Sequence, residues 1–172
     1  LPARFTLVAA MNPCPCGYYG DSEKPCTCAG YEVIRYQKKV SGPLLDRIDI
    51  QITVPRVGIE ALQEKKSETA NMRPALQAQI KKARDIQQKR LHGKKNKFTN
   101  SEMSSKECDD LITLDPAGEA FIRTAAKKSL LSARGYYRVL KVAQTIADLE
   151  TAPQVSERHL AEAFSYRLRE NA

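Results

Sequence analysis

The chain contains 172 residues, of which 28 are Lys or Arg and 20 are Asp or Glu, so its formal net charge is +8. Hydrophobic residues make up 42% of the sequence, which is enough to bury a core and excludes a disordered or collagen-like chain. No apolar run approaches the roughly 20 residues that span a bilayer, and the first residues do not form an export signal. We therefore expect a soluble, cytoplasmic protein with one domain or two small ones.

The first 55 residues predict the end of an α/β domain. Residues 4–11 are apolar on both faces, which is typical of a strand covered on both sides. A short helix is predicted over residues 31–40, and the alternation of Ile50, Ile52 and Val54 with polar residues predicts a second strand over residues 49–54. Two strands do not make a stable sheet, and the chain begins without Met, so we expect it to be a piece of a longer α/β protein.

Four of the five cysteines lie within fifteen residues, in two Cys-x-Cys pairs separated by glycine-containing turns. The paired residues are Cys14, Cys16, Cys26 and Cys28. Four soft thiolate ligands favour a structural, tetrahedral Zn²⁺ site. Two disulfides would need an oxidising compartment, and an iron–sulfur cluster remains open because it uses the same ligands. The isolated Cys108 is expected to be a small buried or half-buried residue.

The whole excess of positive charge lies in residues 56–99, which hold twelve basic and four acidic side chains. The apolar spacing predicts a helix over residues 73–91, with Leu76, Ile80, Ala83 and Ile86 on one side. Such a basic run attracts phosphates through counterion release, whereas a solvated helix face is the alternative interpretation. The candidate nucleic-acid-binding residues are Lys81, Lys82, Lys94 and Lys95.

Residues 100–172 predict a helical bundle, because each apolar stripe follows its own helix-start signal. Ser104 and Glu107 match a capping box, Asp115 precedes a proline, and Ser132 and Ser156 are N-cap candidates. The predicted core residues are Val139, Leu140, Ala143, Ile146, Ala147, Leu160, Ala163, Phe164 and Leu168.

No self-contained active site is evident in the sequence. It has neither a phosphate-binding G-x-x-x-x-G-K-[ST] segment nor a nucleophile elbow. The two histidines, His92 and His159, are far apart in sequence and are expected to be surface residues.

Three segments together resemble one family: residues 8–17 with the first cysteine pair, residues 41–49 with Ser-Gly-Pro-Leu-Leu-Asp-Arg, and residues 132–136 with Ser-Ala-Arg-Gly-Tyr. The chain resembles the magnesium-chelatase-like AAA+ ATPases, and within them the ComM-type, competence-associated branch. Members carry Walker A and Walker B segments upstream of such a first strand. The resemblance implies an α/β fragment followed by an all-α part: the end of an AAA+ core with the Cys₄ loop (residues 1–55, loop 14–28), a basic linker helix (56–99) and a helical lid (100–172).

The resemblance also implies roles for three polar residues. Asn12 matches sensor 1, which orients the attacking water, and Arg47 matches the arginine finger given to a neighbouring subunit. Arg134 matches sensor 2, which brings a cation from the lid to the nucleotide phosphates. The alternatives are that Asn12 simply ends a strand before a proline, and that Arg47 pairs with Asp46 or Asp49.

By resemblance, the intact protein combines this part with its own N-terminal half in a hexameric ring. It would use ATP and Mg²⁺ and couple hydrolysis to DNA remodelling of the helicase or branch-migration type in natural transformation, whereas the chain alone is not expected to hydrolyse ATP. Two alternatives stay open. One is a chelatase-type subunit acting on a tetrapyrrole-synthesis partner, and the other is a non-enzymatic, zinc-stabilised nucleic-acid-binding module.

Overall fold

The computed structural model describes residues 5–57, 66–128 and 131–167. It divides into two compact units. The first unit comprises residues up to 47 together with 54–56, and the second comprises residues 48–53 and those from 57 onward. Among the helices of the described ranges, none is both long and apolar enough to cross a membrane.

The described elements are helical. In the first unit, α1 spans Gly30–Gln37 and α2 spans Gly42–Leu45. The second unit has a long helix, α3, over Lys66–Arg90, and then a 3₁₀ turn over Asn100–Glu102. The helices that follow are α4 (Ser105–Leu111), α5 (Pro116–Lys128), α6 (Ala133–Leu149) and α7 (Glu157–Ser165).

Neither predicted strand forms in the described residues, so the α/β part of the predicted fold is not confirmed. Residues 5–12 and 49–54 have no ladder partner there, and the pairing recorded in this part of the chain is one isolated parallel bridge between Leu114 and Val155. The apolar side chains of both segments face solvent, with Phe5 78%, Val8 89% and Ile52 68% exposed. The physical reason is that a strand is stable only against neighbouring strands, whereas a helix forms its hydrogen bonds within one segment.

The helices in the first two-thirds of the chain form where the sequence predicts helices, with two differences. Helix α1 confirms the predicted segment 31–40, but the break after it starts a new helix, because Ser41 Oγ accepts a hydrogen bond from Leu44 N at 3.4 Å. The predicted helix 73–91 begins seven residues earlier, at Lys66, and contains Pro74 in its interior. Proline is typical of a first helical turn, so its position here made the helix look shorter than it is.

The core of the second unit lies between α6, α7 and α5. Every predicted core residue within the described ranges is buried, while Leu168 lies outside them. The rings of Phe121 and Phe164 pack edge to face at 5.8 Å between centroids. The N-terminal half of α3 is different, because Leu76 and Ile80 are exposed whereas Ala83 is buried. Only the C-terminal part of the predicted α3 stripe is therefore core.

Three of the four predicted helix starts of the bundle are confirmed by side-chain hydrogen bonds, and Ser156 is the N-cap of α7, as predicted, but without a side-chain capping bond. Ser104 Oγ accepts from Glu107 N at 3.3 Å, Asp115 Oδ1 from Gly118 N at 2.6 Å, and Ser132 Oγ from Gly135 N at 3.0 Å. Each bond satisfies an amide that the helix itself leaves without a partner.

The prediction that His159 is a surface residue is wrong, because its ring is buried. Its Nδ1 accepts a hydrogen bond from Ser156 N at 3.0 Å, and its Nε2 lies 3.1 Å from Glu150 Oε2. Both ring nitrogens thus have hydrogen-bonding partners, which offset the cost of removing the imidazole from water. His92 is exposed, as predicted, and Cys108 is buried.

Candidate functional site

The two cysteine pairs of the first unit converge on one point. The sulfur atoms of Cys14, Cys16, Cys26 and Cys28 all lie within 4.8 Å of one another, and none of them is in a disulfide. The Sγ separations are 3.3 Å for Cys14 and Cys16, 3.7 Å for Cys14 and Cys26, and 3.5 Å for Cys16 and Cys26. A tetrahedral Zn²⁺ with sulfur ligands at 2.3 Å requires sulfur atoms roughly 3.8 Å apart. The cluster therefore fits the ion that the spacing predicted.

Tight turns bring the first pair together. Gly17 and Gly20 adopt positive φ angles of 85° and 81°, which glycine reaches without steric cost. Gly17 N donates to Cys14 O at 3.1 Å, and Tyr19 N donates to Cys14 Sγ at 3.3 Å. The backbone thus wraps around the Cys14 sulfur, as it does in metal-binding cysteine knuckles.

The second pair leads directly into α1, which is anchored to the first pair. Val33 is the buried side chain of α1, and Gln37 Nε2 donates to Pro13 O at 3.2 Å. The loop and α1 therefore form one folded unit around the four thiols.

The thiols are electrostatically coupled. Backbone hydrogen bonds at Tyr18 and Thr27 lower the pKa of Cys16 to about 5, so it carries a negative charge at neutral pH. A backbone hydrogen bond at Cys16 favours the Cys28 thiolate, but burial and the neighbouring sulfurs outweigh it and raise the pKa of Cys28 to about 12. Four adjacent thiolates repel one another, and a bound divalent cation removes that repulsion. The cluster is chemically suited to hold a soft cation.

The three residues with implied nucleotide roles lie on the surface. Asn12 precedes the cysteine loop, with its side-chain amide nitrogen 3.8 Å from the position that a Cβ on Gly17 would occupy. Arg47 is exposed just after α2, and its Nη1 donates to Pro43 O at 2.6 Å. Arg134 is exposed in the first turn of α6. Asn12 and Arg47 belong to the first unit, and Arg134 belongs to the second.

One alternative for Arg47 was a pairing with Asp49. The structure gives the Asp49 carboxylate another partner, because Arg138 Nη1 bonds to its Oδ1 within the second unit.

The four predicted lysines are exposed, but other cations of the basic segment 56–99 are half-buried in ion pairs. Lys81 and Lys82 face solvent on α3, and Lys94 and Lys95 do so in the turn that contains Gly93. By contrast, two other cations of this run form internal ion pairs, Arg90 with Asp148 and Lys97 with Glu107. The hydrogen bond from Lys97, together with hydrogen bonds at Ser104, lowers the pKa of Glu107 to about 2. These two cations are neutralised within the second unit, whereas the four predicted lysines are exposed.

A buried polar network around Asp148 was not anticipated from the sequence. Arg90 forms a two-pronged pair with Asp148 at 2.8 and 2.5 Å, and Asn100 Nδ2 donates to Asp148 Oδ2 at 2.8 Å. Gln144 Nε2 donates to Asp148 Oδ1 at 3.0 Å. The network fixes the end of α3 against α6. An acid within the otherwise apolar stripe of α6 is the sequence signal that indicates such a buried partner.

Comparison with known families matches nearly the whole chain. The family described as magnesium chelatase, subunit ChlI, matches residues 1–62, and the family described as magnesium chelatase, subunit ChlI C-terminal, matches residues 70–167. The first match contains the cysteine loop with Asn12 and Arg47, and the second contains α6 with Arg134.

Individual relatives match over the same extent. The chain is 39% identical over 166 residues to the competence protein ComM of Haemophilus influenzae, which covers 96% of this chain and 31% of that protein. It is 36% identical to the protein YifB of Salmonella typhimurium and 34% identical to YifB of Escherichia coli, again over 96% of the chain and 31% of each relative. The chain thus spans about a third of the length of these curated relatives.

Proposed function

The chain belongs to the magnesium chelatase ChlI family, and on this basis we propose that the longer protein containing it is a ring-forming AAA+ ATPase that remodels DNA. The observation that carries this proposal is the 39% identity with the competence protein ComM across 96% of the chain, cysteine loop included. The intact protein would form a hexamer, bind ATP with Mg²⁺ and act in natural transformation. Its upstream part would supply the phosphate-binding segments.

Arg47 would act as the arginine finger of the neighbouring subunit. Its exposure beside α2 suits a residue that reaches another chain. Its bond to the Pro43 carbonyl is a contact with a neutral acceptor, whereas a phosphate oxygen would accept a stronger, charge-assisted hydrogen bond. A planar guanidinium then stabilises the charge that develops during phosphoryl transfer.

Arg134 and Asn12 would complete the nucleotide site. In the first turn of α6, Arg134 adds a cation at the positive end of the helix dipole, a combination that favours an anion such as a phosphate. Asn12 would hold the attacking water through its amide. The cysteine loop that follows Asn12 would fix the position of that amide.

A structural Zn²⁺ would stabilise the first unit. In the described part of this unit, the buried apolar side chains are those of Cys14 and Val33, which is far too little for a hydrophobic core. Metal binding by four thiolates supplies the missing folding free energy. In this role the ion takes no part in the reaction.

The DNA contact would involve the four exposed lysines at the end of α3. Lys81, Lys82, Lys94 and Lys95 face solvent, while the other two cations named above are neutralised internally. Contacts of this kind bind phosphates without sequence preference and weaken as salt rises.

The proposal is tested by the ATP turnover of the intact protein with and without single-stranded DNA. We expect stimulation by DNA, and a loss of about a thousandfold or more in turnover for Arg47→Ala, as for other arginine fingers. Arg123→Ala, which removes an exposed arginine from α5, is the matched control and should retain turnover.

A different outcome would favour the chelatase role, for which the family's description is the supporting observation. If DNA does not change the ATP turnover but a tetrapyrrole-synthesis partner raises it, the chelatase role replaces the DNA role. Turnover that survives Arg47→Ala would remove the finger from the proposal.

A further inference from the structure

One face of α1 combines an aromatic ring with several cations. The five residues of this face lie at positions i, i+3, i+4, i+7 and i+8, which places them on the same side of the helix and the turn that follows: Tyr31, Ile34, Arg35, Lys38 and Lys39. They line a shallow groove of about 360 Å³. We call this surface the α1 face.

Three carboxylates of the first unit have partners outside the α1 face. Glu32 accepts a hydrogen bond from Ala29 N at 3.0 Å, at the start of α1. Asp21 accepts two backbone N–H groups of its own turn, at 2.8 and 2.9 Å. Glu23 lies 3.7 Å from the guanidinium of Arg56. None of these contacts involves Arg35, Lys38 or Lys39, which carry the positive charge of the α1 face.

Aromatic rings and cations also alternate in this part of the chain. Four of the seven tyrosines lie within residues 18–36. The cation-to-centroid distances are 4.1 Å for Lys24 over Tyr18, 6.0 Å for Arg35 over Tyr31 and 5.5 Å for Lys39 over Tyr36. Tyr31 is nevertheless 67% exposed, so most of its ring remains open to a planar ligand.

We infer that the α1 face binds single-stranded DNA, with Tyr31 stacking on an unpaired base while Arg35, Lys38 and Lys39 contact the phosphates. An open ring flanked by cations is the arrangement that proteins use to hold single strands without reading their sequence. The inference rests on the proposed DNA function and deepens it. It assigns the single strand to the first unit, whereas the lysines after α3 provide a contact to phosphates alone.

The composition of the groove favours DNA over a protein partner. Three of its five residues are cations, and its apolar surface comes from the Tyr31 ring, Ile34 and the aliphatic stems of the basic side chains. A protein interface is depleted of lysine at its centre and enriched in apolar side chains. A nucleotide chain supplies one base and one phosphate per residue, and it therefore matches a ring beside several cations.

The experiment is a titration of the chain with a fluorescein-labelled oligothymidylate of about 16 nucleotides, which spans the largest site of a typical single-strand binding fold. Fluorescence anisotropy at several salt concentrations gives the affinity and its salt dependence. Because the chain has no Trp, quenching of its tyrosine emission reports stacking directly. A blunt duplex of the same length tests whether unpaired bases are required.

We expect Tyr31→Ala to weaken binding about tenfold, and Tyr31→Phe to retain it, because phenylalanine keeps the stacking surface. Arg35→Ala with Lys38→Ala should weaken binding and reduce the salt dependence by about two phosphate contacts. Lys106→Ala with Lys127→Ala removes the same charge from exposed lysines of α4 and α5, and should leave the affinity unchanged.

Three results would overturn the inference, and they differ in what they say about the proposed function. If the chain binds the single strand but the α1 variants bind equally well, the α1 face is not the site, and the DNA function stands. If the chain binds neither single strand nor duplex, both the α1 site and the proposed lysine contact fail, and the turnover test on the intact protein decides the DNA function. Self-association of the chain that Tyr31→Ala abolishes would identify the face as a contact between copies.

Discussion

The two units differ in what holds them together. In the second unit, ten buried residues from α5, α6, α7 and the adjoining loop form one apolar core. In the first unit, the buried apolar side chains of the described residues are Cys14 and Val33, and the conformation is set by turns around four thiols. Side-chain packing therefore specifies the second unit, whereas cysteine chemistry specifies the loop that follows Asn12.

Removal of the metal is expected to have the largest effect, because it should act on the first unit and leave the second unit folded. The purified chain should contain about one zinc per chain, and Cys16→Ser or a strong chelator should remove it, because four-thiolate sites supply about 10 kcal/mol or more of apparent folding free energy. Hydrogen exchange should then show loss of protection in α1 while α6 stays protected. Cys108→Ala, outside the cluster, should leave the metal in place.

If the purified chain contains iron instead of zinc and shows the optical absorbance of an iron–sulfur cluster, the iron–sulfur alternative is correct. Four titratable thiols without any metal, in a chain whose α1 remains protected, would contradict the contrast between the units.

Breaking the ion pair in the second unit should have the next largest effect. Asp148→Ala leaves the half-buried Arg90 without its carboxylate and removes an acceptor from Asn100 and Gln144. We expect a loss of about 3–5 kcal/mol in the free energy of unfolding, measured by urea denaturation, with no change in metal content. Asp110→Ala removes an exposed carboxylate of α4 and serves as the control. A loss below about 1 kcal/mol for Asp148→Ala would show that the network contributes little.

Acid should weaken the second unit through Glu107. Its pKa lies at about 2 in the folded chain and near its ordinary value of 4.5 in the unfolded chain. The stabilisation is therefore complete above about pH 4.5 and is lost as the pH falls toward 2, because the unfolded state then binds the proton more readily. Glu107→Gln should flatten the pH dependence of the urea midpoint in this window. An unchanged pH dependence in this variant would show that other carboxylates control it.

The smallest expected effect is at the start of α6. Ser132→Ala removes the oxygen that accepts the Gly135 amide, which should cost about 1 kcal/mol, whereas Ser132→Gly should cost only a few tenths. Differential scanning calorimetry of the two variants separates them. Equal losses for alanine and glycine would show that the hydroxyl contributes nothing specific.

Sequence reasoning succeeded where the determining contacts are local. The caps at Ser104, Asp115 and Ser132 each involve a partner three residues away, and the Cys₄ cluster depends on two short turns. The periodic stripes of α6 and α7 also predicted the core, because burial of one helix face follows directly from its apolar spacing.

It failed where the determining contacts are distant or missing. Strand formation by residues 4–11 depends on neighbouring strands that the described chain does not provide. The burial of His159 depends on Glu150 in a different element, and Arg90 meets Asp148 across 58 positions of sequence. No local pattern encodes such pairs, although an acid in an apolar stripe indicates that a partner exists.

The most direct test of the proposed function is a mixing experiment with the intact protein. Asn12→Ala subunits and Arg47→Ala subunits should each be inactive alone. If Asn12 acts in its own subunit and Arg47 in the neighbour, mixed rings contain some sites with both residues intact, so turnover of ATP should reappear on mixing. A mixture that stays inactive, although gel filtration shows mixed rings, would contradict a shared site between subunits.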